Sequence, residues 1–389
     1  MQEEIKKSAW EDGMKGIECI ELRKFITEYK QKNEKNEFKP VAVGKYGIRT
    51  RESIYSKELA KDYSKNKIIF KNTLTVGMGS RQIDIGILTD DVIYSVSPAY
   101  HTYKISGINA DYLRYCLMCR NEDMFKRFVK RGSRQGKSID LKRWLEYEIP
   151  VYDVCNQEKI VLKLNKVTNV ISMRKQQLQK LDELIQARFV EMFGGLHNSK
   201  LYPYVSIETF TDVTSGGTPN RNTKEYWENG NIRWVKTTEL HNNFITDTEE
   251  YITRKGIDNS SAKVIPAHSI LVAMYGQGKT RGMTGYLLKE CTTNQACACI
   301  LPCKRVDQKY LWYYMILSYD KLRGMAKGGN QPNLNIGIIK RFQVLVPPIE
   351  LQSQFADFVN QVNKSKVEIQ QALEKTQLLF DSLMQQYFG

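Results

Sequence analysis

The segment RFVKRGSRQGKSIDLKRWLEYEIPV, residues 127–151, has a counterpart in GMAKGGNQPNLNIGIIKRFQVLVPP, residues 324–348. Each begins in a basic, glycine-rich loop that contains glutamine, passes through a short apolar element and ends near a proline, Pro150 or Pro347. About 40 helix-like residues follow each segment and end in Phe-Gly, and the two Phe-Gly pairs lie 195 residues apart. Self-similarity at a fixed period indicates repeated structural units. The chain is therefore predicted to contain two copies of one unit, each followed by a long helix.

The two helix-like segments, residues 151–194 and 349–389, carry a heptad pattern. In each segment, eight of the ten seam positions are apolar, and the periodic stretch lacks glycine and proline. An apolar repeat of seven residues favours a coiled coil. We predict two long spacer helices that pair antiparallel, and packing of each helix on its own domain is the alternative. The seam positions are Ile160, Leu164, Val167, Ile171, Arg174, Leu178, Leu181, Ile185, Arg188 and Met192, then Phe355, Val359, Val362, Lys366, Ile369, Leu373, Thr376, Phe380, Leu383 and Tyr387.

The segments that precede the helices, residues 1–150 and 195–348, combine strand, turn and helix signals. A chain of 389 residues exceeds one typical core, which agrees with two domains. The predicted fold class is α+β, with two domains separated by two long helices in a pseudo-twofold internal repeat. Antiparallel helices would place these domains at opposite ends of a rod. Strands are expected within residues 67–76, 92–96, 231–235, 269–275 and 296–301, and helices within 111–129 and 310–322.

The charge balance points to a polyanionic partner. The chain has 58 basic and 43 acidic residues, a net charge of +15, and the excess lies in residues 1–150 and 195–348. Such a balance favours binding to nucleic acid or to an anionic membrane surface. No apolar run approaches the roughly 18 residues of a spanning helix, and the N-terminus carries early acids. We therefore expect a cytoplasmic protein whose eight cysteines are thiols.

The segment Ala273–Thr280, AMYGQGKT, satisfies a loose phosphate-loop pattern after a predicted strand. A true phosphate loop needs a helix next, so that the helix N-terminus meets the phosphates. The residues that follow, RGMTG, contain two glycines and have poor helix propensity. A basic turn that approaches a DNA backbone through Lys279 and Arg281 is the favoured interpretation, and an ATPase is the enzymatic alternative.

Other chemical sites are weak in this sequence. Cysteines at Cys116 and Cys119 fall within a helical pattern, and four more between residues 291 and 303 lack a paired metal-ligand spacing, so buried thiols are expected. Asp84 with Asp90 and Asp91 gives no convincing nuclease motif. We predict no catalytic residue, no metal site and no cofactor site in this chain.

Basic residues interleaved with aromatic and amide side chains are the remaining signal. Arginine and lysine suit phosphates and guanine edges, whereas asparagine and glutamine suit adenine. The candidate DNA-binding residues are Lys45, Tyr46, Arg49, Arg51, Arg81, Gln82, Arg131, Arg134, Lys137, Thr218, Arg221, Lys236, Thr237, Thr238, Tyr275, Gln277, Lys279, Arg281, Asn330, Gln331 and Asn333.

An ordered set of motifs resembles the specificity (S) subunit of Type I restriction–modification systems. The resemblance covers nearly the whole chain, although residues 1–150 lack the TSGGTP and WVKTT stretches, as expected for a recognition domain of another subtype. The motifs are TSGGTP at 214–219, GNIRWVKTTEL at 230–240, LVAMYG at 271–276, GNQPNL at 329–334, the pair Pro347 and Pro348, and LMQQYFG at 383–389.

The resemblance implies a function for each part of the chain. Residues 1–150 and 195–348 would be target-recognition domains, each reading one half of a bipartite, asymmetric site in double-stranded DNA. The helices would fix the gap and dock two modification subunits, which bring S-adenosylmethionine and methylate adenine. Restriction subunits with ATP- and Mg-dependent motor and nuclease domains would also join. A repressor-like bivalent DNA-binding protein that acts alone is the runner-up.

Overall fold

The computed structural model describes residues 17–44, 47–54, 62–132, 136–276, 278–326 and 332–389. The chain divides into two compact units. Unit 1 contains residues 1–175 and 371–389, and unit 2 contains residues 176–370.

Unit 1 is an α+β domain built on an antiparallel sheet. Its four strands lie in the order β2-β9-β6-β7, and the segment predicted as one strand at 67–76 is two strands. Its apolar core includes Leu74, Leu113 and Trp144, all fully buried. The elements are β1 Glu18–Glu21, β2 Ile26–Glu28, β3 Val41–Gly44, β4 Gly47–Thr50, β5 Lys67–Ile69, β6 Thr73–Met78, β7 Ile83–Leu88, β8 Tyr94–Val96, β9 His101–Ile105, α1 Ala110–Cys119, α2 Asn121–Phe128, β10 Val129–Gly132, β11 Gly136–Ile139, α3 Leu141–Leu145, β12 Glu148–Val151 and α4 Val154–Phe193.

Unit 2 is also α+β, with a larger mixed sheet. Five strands lie in the order β14-β21-β18-β19-β16, and three others lie in the order β17-β15-β20. The central strand β18 is buried along its whole length, which its continuous apolar run ILVA dictates. The elements are β13 Tyr204–Ser206, β14 Val213–Ser215, β15 Ile232–Val235, β16 Asn243–Ile245, β17 Glu250–Ile252, α5 Arg254–Asp258, β18 Ile270–Ala273, β19 Thr284–Leu287, β20 Thr292–Thr293, β21 Cys297–Ile300, α6 Gln308–Leu317, α7 Tyr319–Gly324, α8 Ile336–Lys340, β22 Gln343–Leu345 and α9 Ile349–Phe388.

The long helices α4 and α9 contribute to both units and pair antiparallel within each. All twenty predicted seam positions are buried or half-buried, so the heptad prediction is confirmed. The polar seam residues have partners across the seam. Arg174, for example, donates to the hydroxyl of Thr376. The residue numbers rise along α4 as they fall along α9. The pairs are Lys163 with Tyr387 and Arg174 with Thr376 in unit 1, and Asp182 with Lys366 and Arg188 with Phe358 in unit 2.

A buried glutamine ties the start of α4 to the α+β domain in unit 1. The side-chain oxygen of Gln157 accepts from the backbone N–H of Asn109, the N-cap of α1, at 3.0 Å. Its amide nitrogen donates to the carbonyl of Tyr152 at 2.7 Å. One side chain therefore satisfies a backbone donor and a backbone acceptor that burial removes from water.

The same link recurs in unit 2, 195 residues later. Gln352 accepts from the backbone N–H of Asp307, the N-cap of α6, at 2.8 Å and donates to the carbonyl of Pro347 at 2.7 Å. Both glutamines are almost fully buried, Gln157 at 3% exposure and Gln352 at 1%. The internal repeat predicted from the sequence is therefore also present in the buried hydrogen bonds of the two units.

Each of the two helices predicted at 111–129 and 310–322 is broken by one residue. Arg120 separates α1 from α2 with φ −86° and ψ 4°, and Ser318 separates α6 from α7 with φ −86° and ψ 9°. These dihedrals lie in the bridge region, which ends one helix and redirects the next. The apolar spacing continues through both breaks, so the pattern did not reveal them.

Candidate nucleic-acid interface

The loop between β18 and β19 carries the segment that matched a phosphate-loop pattern. The two strands pair antiparallel, with Ile270 opposite Tyr286, so a strand follows the loop and no helix does. Left-handed φ angles at Gly276, Gly278 and Gly282 (138°, 62° and 88°) fold the loop back on itself. A phosphate loop requires a following helix, and the ATPase alternative is therefore wrong on geometry.

This hairpin loop exposes two of the predicted DNA contacts and uses a third internally. The side chain of Tyr275 is 44% exposed, and Lys279 is exposed as well. The guanidinium of Arg281 instead donates to the backbone carbonyl of Pro332, next to the predicted contact Asn333, which is half-buried. Contact of these residues with DNA stays a prediction.

Arg221 contacts two tryptophan rings that pack edge to face, with their centroids 5.1 Å apart. Its guanidinium carbon is 3.7 Å from the ring centroid of Trp227 and 4.5 Å from that of Trp234. The same guanidinium donates to Glu250. The indole nitrogen of Trp227 donates to the carbonyl of Asn220 at 3.1 Å. The TSGGTP loop and the residues after it are therefore held in one conformation, and Arg221 serves that purpose through cation–π contacts.

Glu250 also binds Lys236, the second predicted contact in this cluster. The ammonium of Lys236 lies 3.0 Å from Glu250 and 2.7 Å from Glu249. Burial alone would raise the pKa of Glu250, but hydrogen bonds from Arg221 and Lys236 hold that pKa below its usual value. A hydrogen bond to Glu249 raises the pKa of Lys236. Both basic candidates of this cluster, Arg221 and Lys236, are therefore paired with acidic side chains.

The neighbouring polar candidates Thr218, Thr237 and Thr238 lie in segments that are held by local hydrogen bonds. Thr237 and Thr238 form a short 3-10 helix with Glu239, whose carboxylate accepts from the backbone N–H of Lys236 at 2.8 Å. The hydroxyl of Thr218 donates to Gln295 at 2.6 Å.

In unit 1, the hairpin β10–β11 carries the basic loop quoted at the start. Gly132 pairs with Gly136 at its tip. The ammonium of Lys137 donates to the carbonyl of Ser80 at 2.6 Å and lies 5.3 Å from the ring centroid of Phe125. The hairpin is therefore anchored on the domain while its strand β11 remains largely exposed.

A cleft of about 970 Å³ lies beside β4 in unit 1 and is lined by Arg49 and Gln82, among others. Arg51, one residue beyond β4, places its guanidinium carbon 5.2 Å from the ring centroid of Tyr63. Arg81 is exposed in the turn between β6 and β7. The candidates of this unit that the structure describes thus divide among the cleft, the Arg51–Tyr63 contact, that turn and the β10–β11 hairpin.

Some predicted contacts lie outside the residues that the structure describes. They are Lys45, Tyr46, Arg134, Gln277, Asn330, Gln331 and the side chain of Arg131.

Other chemistry finds no support in the described ranges. Burial raises the pKa of Cys116 and of Cys297 to about 12, so neither is a reactive thiolate near neutral pH. Asp84 lies near the start of β7 and Asp90 beyond its end, so an extended strand of about 20 Å separates them. Across the described residues, no group of three or more His, Cys, Asp or Glu is placed to hold a metal ion.

Comparison with known families identifies the protein family to which this chain belongs. A family model for the Type I restriction modification DNA specificity domain matches this chain twice, at residues 18–183 and 201–378. The chain belongs to this family. Each match begins at the first strands of one recognition domain and runs into a long helix.

Curated relatives and solved structures agree with that assignment. The chain is 30% identical over 164 residues to the Type I restriction enzyme EcoR124I/EcoR124II specificity subunit of Escherichia coli, covering 41% of this chain. It is 27% identical over 183 residues to the MjaIX specificity subunit of Methanocaldococcus jannaschii, covering 44% of this chain. The alignments span 40% and 41% of these relatives. An S subunit structure from M. genitalium covers 96% of both chains with a TM-score of 0.58 at 12% identity, which establishes the shared fold.

Proposed function

We propose that this chain is the non-catalytic DNA sequence-recognition subunit of a Type I restriction–modification complex. Residues 1–150 and 195–348 are the target-recognition domains, and each reads one half of a bipartite, asymmetric DNA site. The observation that carries the proposal is the repeated specificity-domain match on two units that repeat the same buried contacts. The net charge of +15 supports DNA as the partner.

The spacer helices, residues 151–194 and 349–389, set the distance between the half-sites and dock two methyltransferase subunits. Large apolar side chains are exposed on both helices and offer contacts to the docked subunits. They include Leu162 and Met173 of α4, at 58% and 60% exposure, and Leu378 of α9 at 69%. The continuous α4 and α9 supply the rigid spacer.

The chemistry belongs to the partners in this proposal. The methyltransferase subunits hold S-adenosylmethionine and extrude the target adenine, and restriction subunits supply ATP- and Mg-dependent translocation and cleavage. The complex works in the cytoplasm, where the DNA lies. Among the described helices of this chain, none has the length and apolar character to cross a membrane.

The test is long-read mapping of methyladenine in cells with and without the gene, with a candidate methyltransferase subunit supplied. The proposal predicts a gene-dependent motif of two short half-sites with a fixed gap. If a bound methyltransferase is recovered with the chain and no motif depends on the gene, the proposal fails. Sequence-specific binding at full affinity without any partner would favour a stand-alone DNA-binding protein.

A further inference from the structure

Two side chains of α7, Tyr319 and Arg323, hold the β18–β19 loop from behind. The hydroxyl of Tyr319 donates to the carbonyl of Lys279 at 2.6 Å. Arg323 donates through one guanidinium nitrogen to the carbonyl of Arg281 at 2.7 Å and through the other to that of Gly278 at 2.8 Å. Three carbonyls of one short loop are therefore fixed by two neighbouring side chains.

The two side chains also fix each other. Arg323 donates to the hydroxyl of Tyr319 at 3.1 Å, and its guanidinium carbon lies 5.2 Å from the tyrosine ring centroid. Gly282 allows the close approach, because a Cβ added there would lie 3.1 Å from the Cγ of Arg323 and 3.4 Å from the ring of Tyr319. Any other residue would also be strained at the φ of 88° found at Gly282.

We infer that Arg323, with Tyr319, is a positioning residue that presets this loop for DNA binding. The inference rests on the proposed function, in which the exposed side chains of Tyr275 and Lys279 meet the DNA. A loop of glycines loses much conformational entropy when it becomes ordered. Because the α7 side chains order the loop before DNA arrives, that entropy is not lost on binding, and affinity rises.

The arrangement distinguishes positioning from direct contact. Two different nitrogens of the planar Arg323 guanidinium bind the two carbonyls, a fixed fork that the single nitrogen of lysine does not reproduce. Arg323→Lys therefore keeps the charge and loses the bridge. An arginine that contacted phosphate directly would keep most of its contribution to DNA binding in the lysine variant, since lysine also binds phosphate.

The experiment uses the full chain with its methyltransferase partner and compares Arg323→Lys, Tyr319→Phe and Lys279→Ala with the parent. Hydrogen exchange of the DNA-free protein is expected to be at least about tenfold faster in the loop amides of Arg323→Lys, while the rest of unit 2 is unchanged. Binding to the half-site read by unit 2 is expected to weaken about tenfold, whereas discrimination at the other half-site persists.

The salt dependence of binding separates the roles. Removal of one phosphate contact reduces the slope of log K against log salt by about 0.9, which we expect for Lys279→Ala and not for Arg323→Lys. Unchanged loop exchange in Arg323→Lys overturns the positioning role, as does faster exchange with parental DNA affinity. A parent complex that binds no DNA sequence-specifically instead overturns the proposed function, because the loop measurement needs no DNA.

Discussion

Replacing Gln352 by leucine tests the buried link between α9 and α6. The side chain keeps a similar size, but the backbone N–H of Asp307 and the carbonyl of Pro347 lose the partners seen at 2.8 Å and 2.7 Å. Each buried polar group left without a partner costs about 1–3 kcal/mol, and the added apolar burial offsets about 1 kcal/mol. We therefore expect unit 2 to lose roughly 1–5 kcal/mol of unfolding free energy.

The assay is urea unfolding followed by hydrogen-exchange mass spectrometry, which reports the two units separately and avoids a two-state assumption for the whole chain. Gln157→Leu is the matched change, and it should destabilise unit 1 by a similar amount. Gln354→Leu, at an exposed position one turn into the same helix, is the control. A loss below about 0.5 kcal/mol for Gln352→Leu, or one equal to the control, would refute the reasoning, since surface changes stay within that range.

Three further changes have defined outcomes. The folded-state pKa of Glu250 is lowered, so its contribution to stability is present above the unfolded pKa of about 4.3 and is lost as pH falls through the folded value. The unfolding free energy of Glu250→Gln should therefore fall less steeply with decreasing pH than that of the exposed control Glu208→Gln. Parallel curves for the two variants would contradict a stabilising role for the Glu250 carboxylate. Arg221→Lys should lower the stability of unit 2 by on the order of 1 kcal/mol in thermal unfolding, because lysine loses the contacts of the guanidinium with the two tryptophan rings, and an unchanged melting temperature would argue against a stabilising role for these contacts. Deleting the paired heptads 169–175 and 375–381 should shorten the methylation motif's gap by about three base pairs, since seven helical residues rise about 10.5 Å, and an unchanged gap would remove the spacer role.

The long helices were predictable because their signal is both periodic and long. Five heptads place apolar residues on one stripe, and every position of that stripe is buried or half-buried in the structure. For the two domains, the sequence predicted the α+β class but not the exact bounds of the helices. The helix breaks at Arg120 and Ser318 depend on single dihedral angles that leave the apolar spacing intact.

The candidate site was less accessible to sequence reasoning, because a basic residue among aromatics suits both DNA binding and cation–π packing. Arg221 meets Glu250, a partner 29 residues away along the chain, so only the tertiary structure shows the pairing. Tyr319 and Arg323 were missed for the same reason. They lie in a helical pattern about 40 residues beyond the loop that they hold, and no local motif marks them.

If each domain reads its own half-site, duplication of one domain should change the recognised DNA site in a defined way. Residues 18–151 and 203–346 are matched pieces, since each begins at the strand that pairs with its last strand, β1 with β12 and β13 with β22. The measurement is methyladenine mapping for a chain in which a second copy of residues 203–346 replaces residues 18–151. The expected motif is symmetric, with the half-site of unit 2 on both sides of the gap. Retention of the original asymmetric motif by the duplicated chain would contradict it.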